Sequence, residues 1–222
     1  MKSKRINVII TGATGMVGEG VLHKCLSDPR IASIILLTRR STHVNHPRVK
    51  EMLLSDLSAM PLNQPDLANV DACFYCLGIT SIKKTEEKYT EVTHDLTLTI
   101  AQSLITRNPG MTFCYISAKG SDNSEQGKTM WARVKGRTEN DLAKIGFKQL
   151  YIFRPFMLTP IRGLQHSHGF YKYISWLFPF GRLVYPDAFC TLQELALAMI
   201  QVADRGYGKK IITPTDMVKI AR

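Results

Sequence analysis

The chain has 222 residues, 45% of them apolar, which suits one sizeable core and predicts a single domain over 1–222. Lysine and arginine outnumber aspartate and glutamate by 29 to 18, a net charge of +11 that favours anionic partners without choosing among them. No apolar run approaches the roughly 20 residues that cross a bilayer, and no basic block, zinc-finger spacing or aromatic RNA-binding signature marks a nucleic-acid binder.

The opening "MKSKRINV" lacks the apolar stretch of a secretory leader, so a cytoplasmic address and no stable membrane insertion are expected. "INVIIT" (6–11) then reads as a β-branched strand. It runs into "TGATGMVG", Thr11 to Gly18, and a helix over 16–28 that places Val17, Val21, Leu22 and Leu26 on one face before Pro29. "ASIILLT" (32–38) is a continuous apolar run of the kind buried on both faces of a parallel sheet. A weaker strand near "VKEMLLSD" precedes a buried strand in "NVDACFYCLG" (69–78).

Residues 86–107 carry Val92, Leu96, Ile100 and Leu104 at spacings of four, which predicts a long amphipathic helix. A strand over 111–120, a helix over about 129–145 and a strand over 148–155 follow. The pattern loosens over 156–190, rich in aromatics, glycine and proline, which reads either as a substrate-side flap or as a hydrophobic packing segment. A helix over 191–204 and a strand over 209–214 close the chain. This alternation predicts an α/β fold, a doubly wound parallel sheet of Rossmann type with helices on both faces. The two long helices also offer faces for a homodimer.

Five cysteines (Cys25, Cys73, Cys76, Cys114, Cys190) lie mostly in apolar segments and read as reduced packing residues, the "CFYC" pair included. "HSH" (His166–His168) reads as a loop, and no metal site is expected.

Gly12, Gly15 and Gly18 follow a strand and open a helix. In that context the first glycine permits a tight turn, the second an approach to a pyrophosphate at the helix N-terminus, and the third close helix–strand packing. The expected partner is a nicotinamide dinucleotide. The second strand ends "LLTRR", so Arg39 and Arg40 stand where an acid would accept a ribose 2′-hydroxyl. Arginines there pair with a 2′-phosphate, which predicts NADP(H) in preference to NAD(H).

"TGATGMVG", "SDL" (55–57), "CLGIT" (76–80), "EVTHDLT" (91–97), "YISAKGSD" (115–122), "WARVKGRTE" (131–139) and "FRP" (153–155) together resemble the extended and atypical short-chain dehydrogenase/reductases. Their order is most similar to the Tat-interacting oxidoreductase-like branch, and the resemblance covers nearly the whole chain. It implies that Gly12, Thr14, Gly15, Met16 and Val17 surround the pyrophosphate, Asp56 and Leu57 the adenine, and Leu77 and Gly78 the ribose near the nicotinamide. It also implies hydride transfer assisted by a tyrosine four residues before a lysine and by a serine at the end of the preceding strand. Ser117 matches the serine and Lys135 the lysine as catalytic residues, and Lys135 would also hold the ribose.

Trp131 stands where the tyrosine belongs. An indole N–H donates a hydrogen bond and has no ionised form to shuttle a proton. No tyrosine occurs between Tyr115 and Tyr151, so a shift of register does not restore the motif. Tyr89, Tyr171, Tyr173, His94 and the Ser117 hydroxyl are the alternative proton donors. Three readings follow: an oxidoreductase on an unknown small carbonyl or alcohol, a non-catalytic NADP(H)-binding redox sensor, and, weakest, a nucleic-acid binder.

Overall fold

A computed structural model of the chain describes residues 5–60, 64–159, 161, 163, 164, 181 and 185–222. Its strands in chain order are β1 (Ile6–Thr11), β2 (Ile31–Thr38), β3 (Val49–Leu53), β4 (Ala72–Tyr75), β5 (Thr112–Ile116), β6 (Gln149–Phe153), β7 (Met157–Thr159), β8 (Phe189–Thr191) and β9 (Ile211–Ile212). Seven of them form one parallel sheet in the order β3-β2-β1-β4-β5-β6-β9. Its strand order reverses between β1 and β4, so their carboxyl ends diverge and leave a crevice there.

Both faces of the sheet are covered, which is why its central strands read as unbroken apolar runs. Alternate side chains of a strand point to opposite faces. Val8, Ile10, Phe74 and Phe153 therefore pack with helices α1 (Met16–Ser27) and α5 (Leu192–Arg205) on one side. Ile9, Cys73, Tyr75 and Phe113 pack on the other side with Ile100 and Leu104 of α3 (Leu96–Arg107) and Leu142 of α4 (Met130–Ile145).

The helix expected over 86–107 is present but not regular. It begins as α2 (Glu86–Thr90), widens into a π turn over Glu91–Asp95 and continues as α3. The extra residue in the wide turn rotates the register. Ile100 and Leu104 keep their expected burial, whereas upstream Tyr89, Thr93 and His94 are buried and Val92 is only half-buried.

The strand expected over 209–214 shortens to β9, because Thr213 caps a further helix, α6 (Pro214–Ile220). Its Thr213–Asp216 capping box and Pro214 in the first turn are a helix start. Another box, Thr191–Glu194, starts α5. β7 and β8 pair in parallel as a separate two-stranded sheet and bracket most of the loose segment. The interior of that expected flap, with His166, His168, Tyr171 and Tyr173, lies outside the described residues. All five cysteines are free thiols, and burial pushes those of Cys25, Cys73, Cys76 and Cys114 up.

Candidate functional site

The turn after β1 is built from backbone demands. Gly12 has φ 69°, and a Cβ there would lie 2.7 Å from the carbonyl oxygen of Cys76. The chain runs this close to β4 because the Thr11 hydroxyl oxygen accepts the N–H groups of Cys76 and Leu77, each at 3.2 Å. Gly18 closes the other side, where a Cβ would lie 2.2 Å from the Gly12 carbonyl oxygen. Gly15 caps α1 without a side-chain cap, and its N–H donates to the Gly12 carbonyl at 3.0 Å. A Cβ on Gly15 would meet nothing closer than 3.4 Å, so packing alone does not demand this glycine.

A cleft of about 730 Å³ opens beyond the carboxyl ends of β1, β2 and β4, a volume in the range of small-molecule sites. Gly12, Thr14, Gly15, Arg39, Arg40, Asp56, Leu57, Leu77 and Gly78 all line it. Met16, Val17 and Gly18 do not: Met16 and Val17 pack partly buried against the core, and Gly18 is buried beneath the turn. Arg39 and Arg40 are exposed, and among the described residues no carboxylate pairs with either guanidinium. Asp56 accepts the Ser58 hydroxyl at 2.7 Å and the Ser58 N–H at 2.8 Å, and these bonds hold its carboxyl below the usual range.

Lys84, Lys88, Glu91, Asp95 and Thr99 complete the cleft wall and were not anticipated. Their spacings of four, three, four and four form a polar stripe beside the apolar one, whose Val92 and Leu96 line the cleft as well. The pattern was visible, but nothing in it distinguishes a cleft wall from an ordinary solvated face.

The corner of β5 and α4 differs. Ser117 is buried and lies outside the cleft lining. Its hydroxyl donates to Glu139, and the Ser121 oxygen sits 2.9 Å away. Glu139, only 4% exposed, also takes Nε of Arg154 at 3.0 Å, a second Arg154 nitrogen, and Nδ2 of Asn123 at 3.1 Å. Ser117 therefore belongs to a buried ion-pair network with its proton already engaged.

Lys135 is half-buried, with Nζ 3.3 Å from the carbonyl oxygen of Ile116 and 5.4 Å from the centre of the Tyr115 ring. Burial pulls its pKa down to about 8 against the opposing pull of Glu139. Trp131 lies one helical turn before it and is half-buried. Tyr89 is buried, and that burial raises its pKa. His94 is held at both ring nitrogens, by Asp95 at 2.7 Å and Asp141 at 2.9 Å.

The family described as NAD dependent epimerase/dehydratase matches residues 8–131. The mitochondrial protein FMP52 of Eremothecium gossypii is 30% identical over 84% of this chain and 80% of its own length. Its counterpart in Candida albicans is 27% identical over 74% and 71%. Among solved structures, a UDP-N-acetylglucosamine 4-epimerase from Methanobrevibacter ruminantium superposes with TM-score 0.67 at 17% identity, covering 97% of this chain and 81% of its own. A Burkholderia cenocepacia short chain dehydrogenase in complex with NADP gives 0.64 at 13% identity, covering 95% and 88%. The Bordetella bronchiseptica enzyme WbmF in complex with NAD+ gives 0.65 at 13%, covering 99% and 78%. These structures share the fold.

The relatives correct one expectation. The cytoplasmic address does not stand, because the fungal proteins are named as mitochondrial. The reading of the opening residues considered only an apolar secretory leader, and organelle import signals are not apolar runs.

Proposed function

Since the chain belongs to the NAD dependent epimerase/dehydratase family, we propose that it holds NADP(H) in the 730 Å³ cleft and serves as an oxidoreductase on a small carbonyl or alcohol. The observation that carries the cofactor choice is the pair Arg39 and Arg40, exposed on the cleft wall with no carboxylate partner among the described residues. Guanidinium groups in that place match a 2′-phosphate in charge and geometry. The site fits the rest of such a molecule. Gly12 and Gly15 leave room at the uncapped N-terminus of α1, whose first amides and dipole favour a pyrophosphate. Asp56 and Leu57 would flank the adenine, and Leu77 and Gly78 the second ribose. Met16, Val17 and Gly18 contribute backbone and packing rather than side chains to the cleft.

When bound, the nicotinamide supplies or accepts a hydride. The proton is the chain's task, and the family resemblance gives it to Lys135, which lies outside the cleft lining with Nζ against the Ile116 carbonyl and its pKa pulled down to about 8 by burial. Ser117 donates to Glu139 and so is not offered to a substrate oxygen. A second reading, a redox sensor that binds without turnover, is favoured by that engaged serine together with Trp131.

Titration with NADPH and NADH, followed by NADPH oxidation across a carbonyl panel, tests both. Selective NADPH binding, weakened about tenfold by Arg39→Ala or Arg40→Ala, supports the cofactor reading. Turnover in the native chain that disappears in Lys135→Met supports the oxidoreductase. Turnover only in Trp131→Tyr supports the sensor, and equal affinity for NADH and NADPH overturns the cofactor choice.

A further inference from the structure

The loop that carries Arg39 and Arg40 is fixed from outside the cleft. Glu51, in the middle of β3, is half-buried and does not line the cleft. Its Oε2 accepts the Ser41 hydroxyl at 2.7 Å, and its Oε1 accepts the Thr42 N–H at 2.7 Å and the Thr42 hydroxyl as well. Ser41 and Thr42 are the two residues directly after the arginines. Before the arginines, buried Thr38 donates its hydroxyl to the Arg40 carbonyl at 2.8 Å. The two cationic residues are thus pinned by the main chain on both sides, at Thr38 and at Ser41–Thr42.

We infer that Glu51 determines cofactor specificity as a positioning residue: by gripping Ser41 and Thr42 it holds Arg39 and Arg40 over the place a 2′-phosphate would occupy. The inference rests on the NADP(H) reading. Two physical effects combine. Fixing a loop before binding removes the ordering cost that a mobile pair of arginines would otherwise meet. The clamp also turns the Glu51 carboxylate toward three donors and away from the cleft, where its charge would repel a phosphate. Burial pushes the Glu51 carboxyl up, yet the bonds from Thr42 and Ser41 outweigh it and leave the group below its usual range, ionised at neutral pH. Without the clamp the arginines would sit on a loop held only from Thr38 and running on into His43, whose φ of 56° is one few residues adopt.

The test is a set of dissociation constants for NADPH and NADH measured on the native chain, Glu51→Ala and Glu51→Gln, with a melting curve for each. Glu51→Ala is expected to weaken NADPH about tenfold and NADH less than twofold. Glu51→Gln, whose amide oxygen still accepts from Thr42, is expected to recover part of the NADPH loss. If the native chain prefers NADPH and Glu51→Ala keeps that preference unchanged, the inference is overturned alone. An equal loss of both nucleotides, tracking the melting temperature, overturns it in favour of a purely structural bond. A native chain with no NADPH preference overturns the NADP(H) reading and the inference with it.

Discussion

At the glycine-turn end of the site, Gly12, Thr14, Gly15, Arg39, Arg40, Asp56, Leu77 and Gly78 meet around an open cleft. At the corner of β5 and α4, Ser117, Glu139, Arg154 and Asn123 meet around one another. Residues of both groups lie in motifs read from the sequence, and the difference between the groups shows what such a motif can carry. A glycine's contribution is complete in itself, because a φ of 69° or a 2.2 Å approach needs only the missing Cβ. A serine's contribution is decided by what takes its proton, and here that partner is 22 residues away in sequence.

The comparison breaks most sharply if the two regions are coupled, and Glu139→Ala asks that question with the largest expected effect. Removing the carboxylate strands the Arg154 side chain, 18% exposed, without its partner. Breaking a buried pair in this way costs about 3–5 kcal/mol, which in a chain of this size lowers Tm by roughly 10 °C or more. NADPH affinity, measured well below that Tm, should be unchanged. A parallel loss of affinity would show that the corner supports the cleft after all.

Gly18→Ala is the converse. Its methyl group must displace the Gly12 carbonyl, a strain of about 1–3 kcal/mol. Tm should fall by less than in Glu139→Ala, while NADPH binding, read by the same titration, should weaken by about tenfold or more.

The smallest effect belongs to Lys135, whose folded pKa of about 8 lies below the ordinary 10.5. Burying the charged ammonium costs stability at every pH below about 8, and the penalty fades as pH rises from there toward 10.5. Lys135→Met should therefore raise Tm at pH 7 by about 2–4 °C, the equivalent of about 1 kcal/mol. The gain should shrink in melts at progressively higher pH between 8 and 10.5. A gain that does not change with pH would mean that the lysine's charge is not under strain in the fold.

Much of the fold was legible because its signals are local and periodic. The apolar runs of β1 and β2, the glycines at 12 and 18 and the spans of α1 and α5 follow from short stretches of residues. What was not legible depends on distant partners or on a change of period. The π turn breaks the helix's repeat while leaving every side chain a plausible helix former. Helix α6 was missed, the strand expected over 209–214 covering its cap Thr213 and first residue Pro214, although Thr213, Pro214 and Asp216 spell its start. In the site, the Arg39–Arg40 position was readable at the end of β2. Glu51's grip was not, because it joins β3 to a loop nine and ten residues upstream through side-chain bonds. The engagement of Ser117 was hidden for the same reason, its acceptor lying on α4.

The wide turn over Glu91–Asp95 has an evolutionary meaning apart from its geometry. It lodges one residue more than an α-helix would use and absorbs it within the turn, so a deletion of a single residue there would restore a regular helix and leave the turns on either side facing as they do. Lys88 on the preceding turn lines the cleft and would keep its place there. A descendant one residue shorter would lose one side chain of that turn and keep the wall on either side of it, which makes the turn a place where the chain can change length without disturbing what the cleft accepts.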